Sequence, residues 1–199
     1  MWLTLLAYHG AMTATPTRPP SSPRRDEIVA VAGRLLDAQG PDGVSMRNIA
    51  AEMGIKAPSL YKHVADKAEL ELVLIADGLE ETAAVHAAAI DGSEDPLRDL
   101  ATAYRAWALA HPHRYRLMTE RPLPRADLPE GLEARAAAPV VMACGGDPDR
   151  ARAAWAFAHG MVMLELADRF PPDADLAAAW AAGVDALRPP GRRGGRAGR

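Results

Sequence analysis

The sequence predicts an all-α fold, and three observations lead to this prediction. Almost half of the 199 residues are hydrophobic (49%), and many of these are alanine, leucine, valine or methionine. Phenylalanine and tyrosine, which favour strands, occur only two and four times. Apolar residues also recur every three or four positions, the period of a helix, between glycine- and proline-rich stretches that end helices.

The two ends of the chain are predicted to lie outside the packed fold. Residues 13–23 are rich in proline and hydroxyl side chains, so residues 1–23 are expected to form a disordered leader, with either Met1 or Met12 as the start. Residues 188–199 combine glycine with five arginines and no acidic residue. We expect this disordered tail either to stay solvated or to make weak, salt-sensitive contacts with a polyanion.

The first two helices have clear start and stop signals. The first is predicted to begin near Arg24 and to end at Gly40-Pro41-Asp42-Gly43. Ser45 follows and can cap the second helix by accepting a hydrogen bond from a backbone N–H. Gly54 ends that helix, because glycine readily adopts the left-handed backbone found at helix C-termini.

The later helices are predicted from the same kinds of signal. Pro58 suits the first turn of a third helix, and Asp66 can cap a fourth helix with Leu70 on its inward face. Further helices, separated by glycine and proline turns, are predicted at Leu97 to Ala110, Tyr115 to Glu120, Leu132 to Cys144, Pro148 to Phe170 and Asp173 to Leu187.

Charge is unevenly distributed along the chain. Residues 68–187 carry ten Lys and Arg against twenty Asp and Glu, whereas the remainder carries thirteen against six. A polyanion would therefore be tolerated near the ends and in the N-terminal third rather than in the middle. Residues 24–67 carry seven basic against six acidic residues, so binding there would depend on a few well-placed contacts.

Several classes of protein are disfavoured by what the sequence lacks. The single cysteine, Cys144, cannot form an intramolecular disulfide and is typical of a cytoplasmic protein. The apolar start, residues 1–7, is too short to span a membrane and lacks the basic flank of a signal peptide, so no membrane association is expected. No Gly-x-Ser-x-Gly, phosphate-binding glycine loop or His-Glu-x-x-His occurs. We therefore predict no catalytic residue, no cofactor and no metal site.

The segment from Val44 to Val64 is the most informative part of the sequence. It reads as two short helices joined by a tight turn at Gly54, with the small Ala50 where the helices cross. This arrangement leaves the second helix exposed along one side. An exposed short helix of this kind can enter the major groove of DNA.

This segment resembles the helix-turn-helix of the TetR family of transcriptional regulators. The most specific part is the run Gly54-Ile55-Lys56-Ala57-Pro58-Ser59-Leu60-Tyr61-Lys62-His63-Val64, followed by Asp66, Lys67 and Leu70. The resemblance implies a helix-turn-helix DNA-binding domain at residues 24–68. It also implies a larger helical domain for ligand binding and dimerisation at residues 69–187.

The resemblance assigns DNA contacts to a defined set of residues. Arg47 would reach a guanine edge or a phosphate, and Ala57, Pro58 and Ser59 would lie against base edges. Phosphates would be bound by Ser45, Tyr61, His63 and Lys67, and the set is completed by Lys56 and Lys62. The alternatives are a solvated Tyr61, a His63 that braces the fourth helix, and surface lysines with only diffuse attraction to DNA. Because Ala57 replaces a longer polar residue, the operator sequence is not predicted.

The run Trp155-Ala156-Phe157-Ala158-His159-Gly160 resembles the Trp-His-Gly signature of one TetR C-terminal subgroup. The resemblance implies a four-helix dimer interface, for which the candidates are Trp155, His159, Gly160, Leu164 and Trp180. Aromatic and methionine side chains line adaptable apolar cavities. The pocket candidates are Trp107, Tyr115, Met118, Met142, Phe157 and Met161, although each of them could be ordinary core.

The predicted function is that of a homodimeric regulator that binds double-stranded operator DNA and an unknown small-molecule effector. We expect a repressor that leaves a pseudo-palindromic operator when a small apolar ligand binds. An activator is one alternative. Another is an architectural DNA-binding protein without a sensor, which would lack an enclosed cavity in its C-terminal half.

Overall fold

The computed structural model describes residues 22–189, and no β-strand occurs among them. In this part of the chain the elements are α1 (Pro23–Gln39), α2 (Met46–Glu52), a 3-10 helix that we call the recognition segment (Ala57–Lys62), α3 (Lys67–Ile90), α4 (Pro96–Ala110), α5 (Pro112–Thr119), α6 (Leu132–Ala143), α7 (Pro148–Leu166) and α8 (Leu176–Ala186). The predicted all-α fold class is confirmed.

Most of the predicted leader and tail lies outside the described residues, as do both candidate start methionines. The residues where the leader and the tail join the fold are described, and they form helical and hydrogen-bonded structure instead of being disordered. Ser22 caps α1, which begins at Pro23 rather than at Arg24. At the other end, Arg188 donates hydrogen bonds to both carboxylate oxygens of Asp95, each at 2.7 Å.

The start of α2, the end of α2 and the start of α3 lie at the predicted capping and turn residues. The Oγ atom of Ser45 accepts a hydrogen bond from the backbone N–H of Asn48 at 3.1 Å, and Asp66 Oδ1 accepts one from the N–H of Glu69 at 2.9 Å. Gly54 has a φ of 65°, the left-handed conformation that a side chain would strain. These local signals therefore determine where α2 ends and α3 begins.

Several later boundaries differ from the prediction. The α5 helix begins at Pro112, three residues before Tyr115. The α7 helix ends at Leu166 rather than Phe170, and Asp168, with a φ of 51°, takes the chain out of the helix. The α8 helix begins at Leu176 because Asp175, and not Asp173, supplies the cap by accepting a hydrogen bond from the N–H of Ala178.

The described residues form two compact units. Unit 1 contains residues 22–84 and 106–137, and unit 2 contains residues 85–105 and 138–189. This division by packing differs from the sequence-based domain boundary near residue 68, which stays a prediction. Three helices, α3, α4 and α6, contribute residues to both units.

Each unit has its own hydrophobic core. The core of unit 1 joins α1, α2, the recognition segment, α3 and α5, and its fully buried members include Ile28, Leu36, Ile49, Leu60 and Leu70. The core of unit 2 is built from small and medium side chains that include Leu97, Leu100, Cys144, Ala151 and Val184. A fully buried leucine or isoleucine contributes roughly 1.5–3 kcal/mol, so these clusters supply most of the stability of each unit.

Candidate nucleic-acid interface and apolar pocket

The junction between α2 and the recognition segment is fully buried. Ile49 and Leu60 are 0% exposed, and Ala50 is 3% exposed where the two elements meet. The N–H of Ile55 donates to the carbonyl of Ala50 at 2.9 Å, and the N–H of Gly54 donates to Ala51 at 3.1 Å. Side-chain packing and backbone hydrogen bonds together fix the recognition segment against α2.

The opposite side of the recognition segment faces solvent. Tyr61 is 56% exposed, which is unusual for a large aromatic side chain. Six of the ten predicted DNA-contact residues are exposed: Arg47, Lys56, Pro58, Ser59, Tyr61 and Lys62. The other four, Ser45, Ala57, His63 and Lys67, are half-buried. The predicted contact set thus occupies positions that a ligand can reach.

The start of α2 is held by two side chains. Ser45 uses Oγ as an acceptor for the cap, so its O–H can still donate to an anion. Asn48 donates from Nδ2 to the carbonyl of Gly43 at 3.0 Å, which ties α2 to the preceding turn. Arg47 lies between them in sequence and is exposed, so the helix start presents a cation beside a hydroxyl donor.

Glu69 holds the chain that follows the recognition segment. Its Oε2 accepts a hydrogen bond from the N–H of Ala65 at 2.6 Å, and its Oε1 accepts one from Arg25 Nη2 at 2.7 Å. The backbone N–H of Ala65, followed by the Arg25 guanidinium, lowers the pKa of Glu69 below its usual range. The Asp66-x-x-Glu69 spacing of a capping box is visible in the sequence, whereas the partner Arg25 is not.

Lys67 is already engaged within unit 1. Its Nζ donates to the carbonyl of Pro41 at 2.9 Å and lies 3.5 Å from Glu71 Oε1. An ammonium group has three N–H donors, so one remains for a phosphate. Sequence reasoning assigned Lys67 to phosphate binding and missed its contact with the turn after α1.

The α5 helix is fastened to α1 by a bidentate ion pair. Arg114 donates from Nε to Asp37 Oδ1 at 2.6 Å and from Nη2 to Asp37 Oδ2 at 2.9 Å. The hydrogen bond to Asp37 raises the pKa of Arg114 further above its already high value. Glycines leave room on α1: a Cβ at Gly33 would lie 3.2 Å from Arg114 Nη2, and one at Gly40 would lie 3.1 Å from the ring of His113.

Unit 2 contains a small apolar pocket that is partly open to solvent. Its lining carries no charged residue and consists of Leu97, Leu100, Ala101, Tyr104, Val140, Ala154, Trp155, Phe157, Ala158, Val184 and Leu187. Of the six predicted pocket residues, Phe157 lines this pocket. An apolar lining with no fixed charge favours an uncharged, hydrophobic ligand.

The other five pocket candidates lie elsewhere. Trp107 and Tyr115 are buried in unit 1, where Trp107 Nε1 donates to Glu81 at 3.0 Å. Met118 packs beside Gly78. Met142 is 68% exposed, and Met161 is half-buried on α7.

A buried carboxylate connects three helices of unit 2. Glu165 on α7 has a side chain that is only 7% exposed, and it accepts hydrogen bonds from Arg105 of α4 at 2.6–3.0 Å. Its Oε1 also accepts the indole N–H of Trp180 on α8 at 2.7 Å. This network, which sequence reasoning missed, anchors α4, α7 and α8 to one another within the unit.

The predicted dimer residues fall into two environments. Trp155 and His159 stack with ring centroids 5.5 Å apart, nothing lies within 4 Å of a Cβ placed on Gly160, and Leu164 is 44% exposed. Trp180 is only 6% exposed and packs edge-on against Phe157 inside the unit. Four of the five residues therefore reach the surface of the single chain.

Among residues 22–189, no helix combines the length and the hydropathy that a membrane span requires.

Family models match both parts of the chain. The model for bacterial regulatory proteins of the tetR family matches residues 28–72, and the model for the tetracyclin repressor-like C-terminal domain matches residues 97–187. An uncharacterized HTH-type transcriptional regulator of Mycobacterium tuberculosis is 34% identical over 158 residues, which cover 74% of this chain and 72% of that protein. The chain belongs to the TetR family. The narrower Trp-His-Gly subgroup stays a prediction.

Two further similarities concern proteins with a described role. The HTH-type transcriptional repressor DrrR1 of Streptomyces coeruleorubidus is 32% identical over 128 residues, which cover 60% of this chain and 46% of that protein. The crystal structure of the multidrug binding protein EbrR complexed with imidazole has a TM-score of 0.63 and 25% identity, covering 87% of this chain and 99% of that one. This TetR-family chain is a DNA-binding helix-turn-helix transcriptional regulator, and its family is not a class of enzymes.

Proposed function

We propose that this TetR-family regulator is a homodimeric repressor that leaves a pseudo-palindromic operator when a small apolar ligand binds in unit 2. The observation that carries the proposal is the exposed recognition segment held on a fully buried junction, with Tyr61 56% exposed beside Leu60 at 0%. An exposed tyrosine on a rigid scaffold presents its hydroxyl where it can donate a hydrogen bond to a DNA phosphate. The protein would act in the cytoplasm, where its operator is found.

The proposed DNA contacts fall into two groups. Arg47 would bind a guanine edge or a phosphate through its planar fork, and Ala57, Pro58 and Ser59 would pack against base edges. Backbone phosphates would be bound by Ser45, Lys56, Tyr61, Lys62, His63 and Lys67. Because residues 24–67 are nearly neutral overall, these few contacts must supply the affinity, and two copies of them are needed.

The proposed dimer is built from α7 and α8. On α7 the exposed or half-buried positions Ala153, Ala156, Gly160 and Leu164 recur every three or four residues, so they share one face. This face is made largely of small side chains, which permit close helix approach. Packing two copies of α7 and α8 about a two-fold axis would give a four-helix bundle and would place the recognition segments about one DNA turn apart.

The ligand step is supported by the pocket and by two relatives. The apolar lining around Phe157 suits a hydrophobic effector. EbrR is described as a multidrug binding protein and DrrR1 as a repressor. Ligand binding would favour a dimer whose recognition segments no longer match the half-site spacing, with a coupling of typically 1–3 kcal/mol.

A two-part experiment tests this function. Full-length protein is first used to select its operator from a random DNA pool, and the operator is then placed upstream of a reporter gene. Repression predicts that the protein lowers transcription, and that compounds which bind in unit 2 restore it. Higher transcription would instead indicate an activator. Binding that no apolar compound alters, across a broad panel, would favour an architectural protein.

A further inference from the structure

His86 is a buried polar residue whose role the fold does not explain. It lies on α3 within unit 2 and is 6% exposed, and its Nε2 atom is buried without a hydrogen-bond partner. Leaving a buried nitrogen unpaired disfavours folding by roughly 1–3 kcal/mol, so such groups are uncommon and often serve a function. A leucine at this position would fill the space without that cost.

The imidazole of His86 contacts one residue of the lining of the apolar pocket. Its ring stacks on the ring of Tyr104, with centroids 5.6 Å apart and 22° between the planes. Tyr104 is itself one of the residues that line the pocket. His86 therefore contacts the pocket lining through this ring, and a ligand in the pocket reaches the imidazole only when Tyr104 moves.

We propose that His86 is the polar anchor of the effector pocket and forms a hydrogen bond with a hydroxyl group on an otherwise apolar, uncharged ligand. The assignment rests on the proposed effector pocket in unit 2 and names the chemical class of ligand that it takes. No residue that lines the pocket is charged, so an ionic ligand would lose its hydration without gaining a partner.

The neutral state of His86 favours a hydroxyl partner. Burial lowers the pKa of His86 from 6.5 to about 4, so the ring is uncharged at neutral pH. A neutral imidazole has one N–H donor and one acceptor nitrogen, and the tautomer decides which of them is Nε2. A hydroxyl group both donates and accepts, so it can pair with Nε2 in either tautomer.

Phenol and toluene form a matched pair of probes for this site, because they differ in the replacement of one hydroxyl by a methyl group. The affinity of each for the full-length protein is measured by calorimetric titration in the wild type and in His86→Phe. The control is His111→Phe, since His111 also contacts an aromatic ring, that of Trp107 with centroids 5.2 Å apart, but in unit 1. Loss of one hydrogen bond should reduce the preference for phenol relative to toluene about three- to tenfold in His86→Phe only.

Nuclear magnetic resonance of the wild-type protein tests the hydrogen bond without any substitution. In wild-type protein with ¹⁵N-labelled histidine, phenol should shift the side-chain nitrogen resonances of His86, whereas toluene at equal occupancy should leave them in place. If His86→Phe does not fold, His86→Leu replaces it. An unchanged phenol-to-toluene ratio, or the absence of a phenol-specific nitrogen shift, would overturn the assignment.

The same titrations, repeated with labelled operator DNA, separate this inference from the proposed function. Phenol that binds at His86 without altering DNA affinity supports the anchor and counts against ligand-induced release. Apolar compounds that release DNA while the His86 resonances stay unchanged support the release and overturn the anchor.

Discussion

Replacing Glu165 should destabilise unit 2 more than any change to a surface ion pair. The side chain of Glu165 is 7% exposed and accepts hydrogen bonds from both the Arg105 guanidinium and the Trp180 indole. Its removal leaves a cation and an indole N–H that lack their acceptor. Arg105 is 32% exposed and can recover some hydration, whereas Trp180 is 6% exposed and cannot.

The size of the effect follows from these contacts. Breaking a buried ion pair by removing one partner lowers the free energy of unfolding by about 3–5 kcal/mol, so Glu165→Ala should fall in that range. Glu165→Gln keeps the volume and one carbonyl acceptor, and it should lose about 1.5–3 kcal/mol, the contribution of a hydrogen bond to a charged group. For a chain of this size each kcal/mol corresponds to a change of roughly 2–4 °C in Tm.

Urea denaturation followed by circular dichroism measures these losses. The control is Glu133→Ala, because Glu133 pairs with Arg125 at 2.8 Å on the surface and should change stability by less than about 1 kcal/mol. The double variant Glu165→Leu with Arg105→Leu should regain only part of the loss, since no charge remains buried but the Trp180 N–H still lacks its acceptor. A Glu165→Ala loss no larger than that of Glu133→Ala would show that the buried network contributes no more than a surface ion pair.

Three further predictions concern the dimer, the buried histidine and the start of α2. Gly160→Leu should convert the proposed dimer to monomer in sedimentation analysis, because the small-residue face of α7 would carry a bulky side chain. An unchanged dimer would exclude Gly160 from the interface. His86 has a pKa of about 4 in the folded protein against 6.5 in the unfolded chain, so the unfolded chain takes up the proton first. Unfolding measured from pH 7 to pH 4 should therefore show up to about 3 kcal/mol of stability lost as the pH falls, and His86→Phe should flatten this slope. Ser45→Asp should keep the helix cap and the stability but weaken DNA binding at least tenfold, because a carboxylate would face a phosphate. Ser45→Ala should lower the free energy of unfolding by about 1 kcal/mol. Equal DNA affinity for Ser45→Asp and wild type would contradict the phosphate contact.

The sequence predicts the helix-turn-helix well because its signals are local. Ser45, Gly54 and Asp66 each act within a few residues, and all three take the predicted role as a cap or turn. The same kind of local signal gave a wrong start for α8, because Asp173 and Asp175 both follow a proline pair and either could cap a helix. In the structure it is Asp175 that accepts the hydrogen bond from the N–H of Ala178.

Long-range partners could not be predicted from one sequence. Arg114 and Asp37 are 77 positions apart, and Arg105 and Glu165 are 60 apart, so nothing in the local pattern connects them. The proposed effector pocket shows the same difficulty. Aromatic and methionine residues line cores as readily as cavities, and of the six candidates only Phe157 lines the pocket in unit 2.

An equilibrium titration with operator DNA tests whether α2 and the recognition segment read DNA, as we propose. Full-length wild type, Arg47→Ala and Tyr61→Ala are titrated at physiological salt against the operator that the protein selects from random DNA, with Arg169→Ala as a control that removes an exposed arginine from unit 2. We expect both substitutions to weaken operator binding by about 1–3 kcal/mol, and the control to change it less than twofold. Selection of no sequence above random DNA, or wild-type affinity in both variants, would show that these two elements do not read DNA.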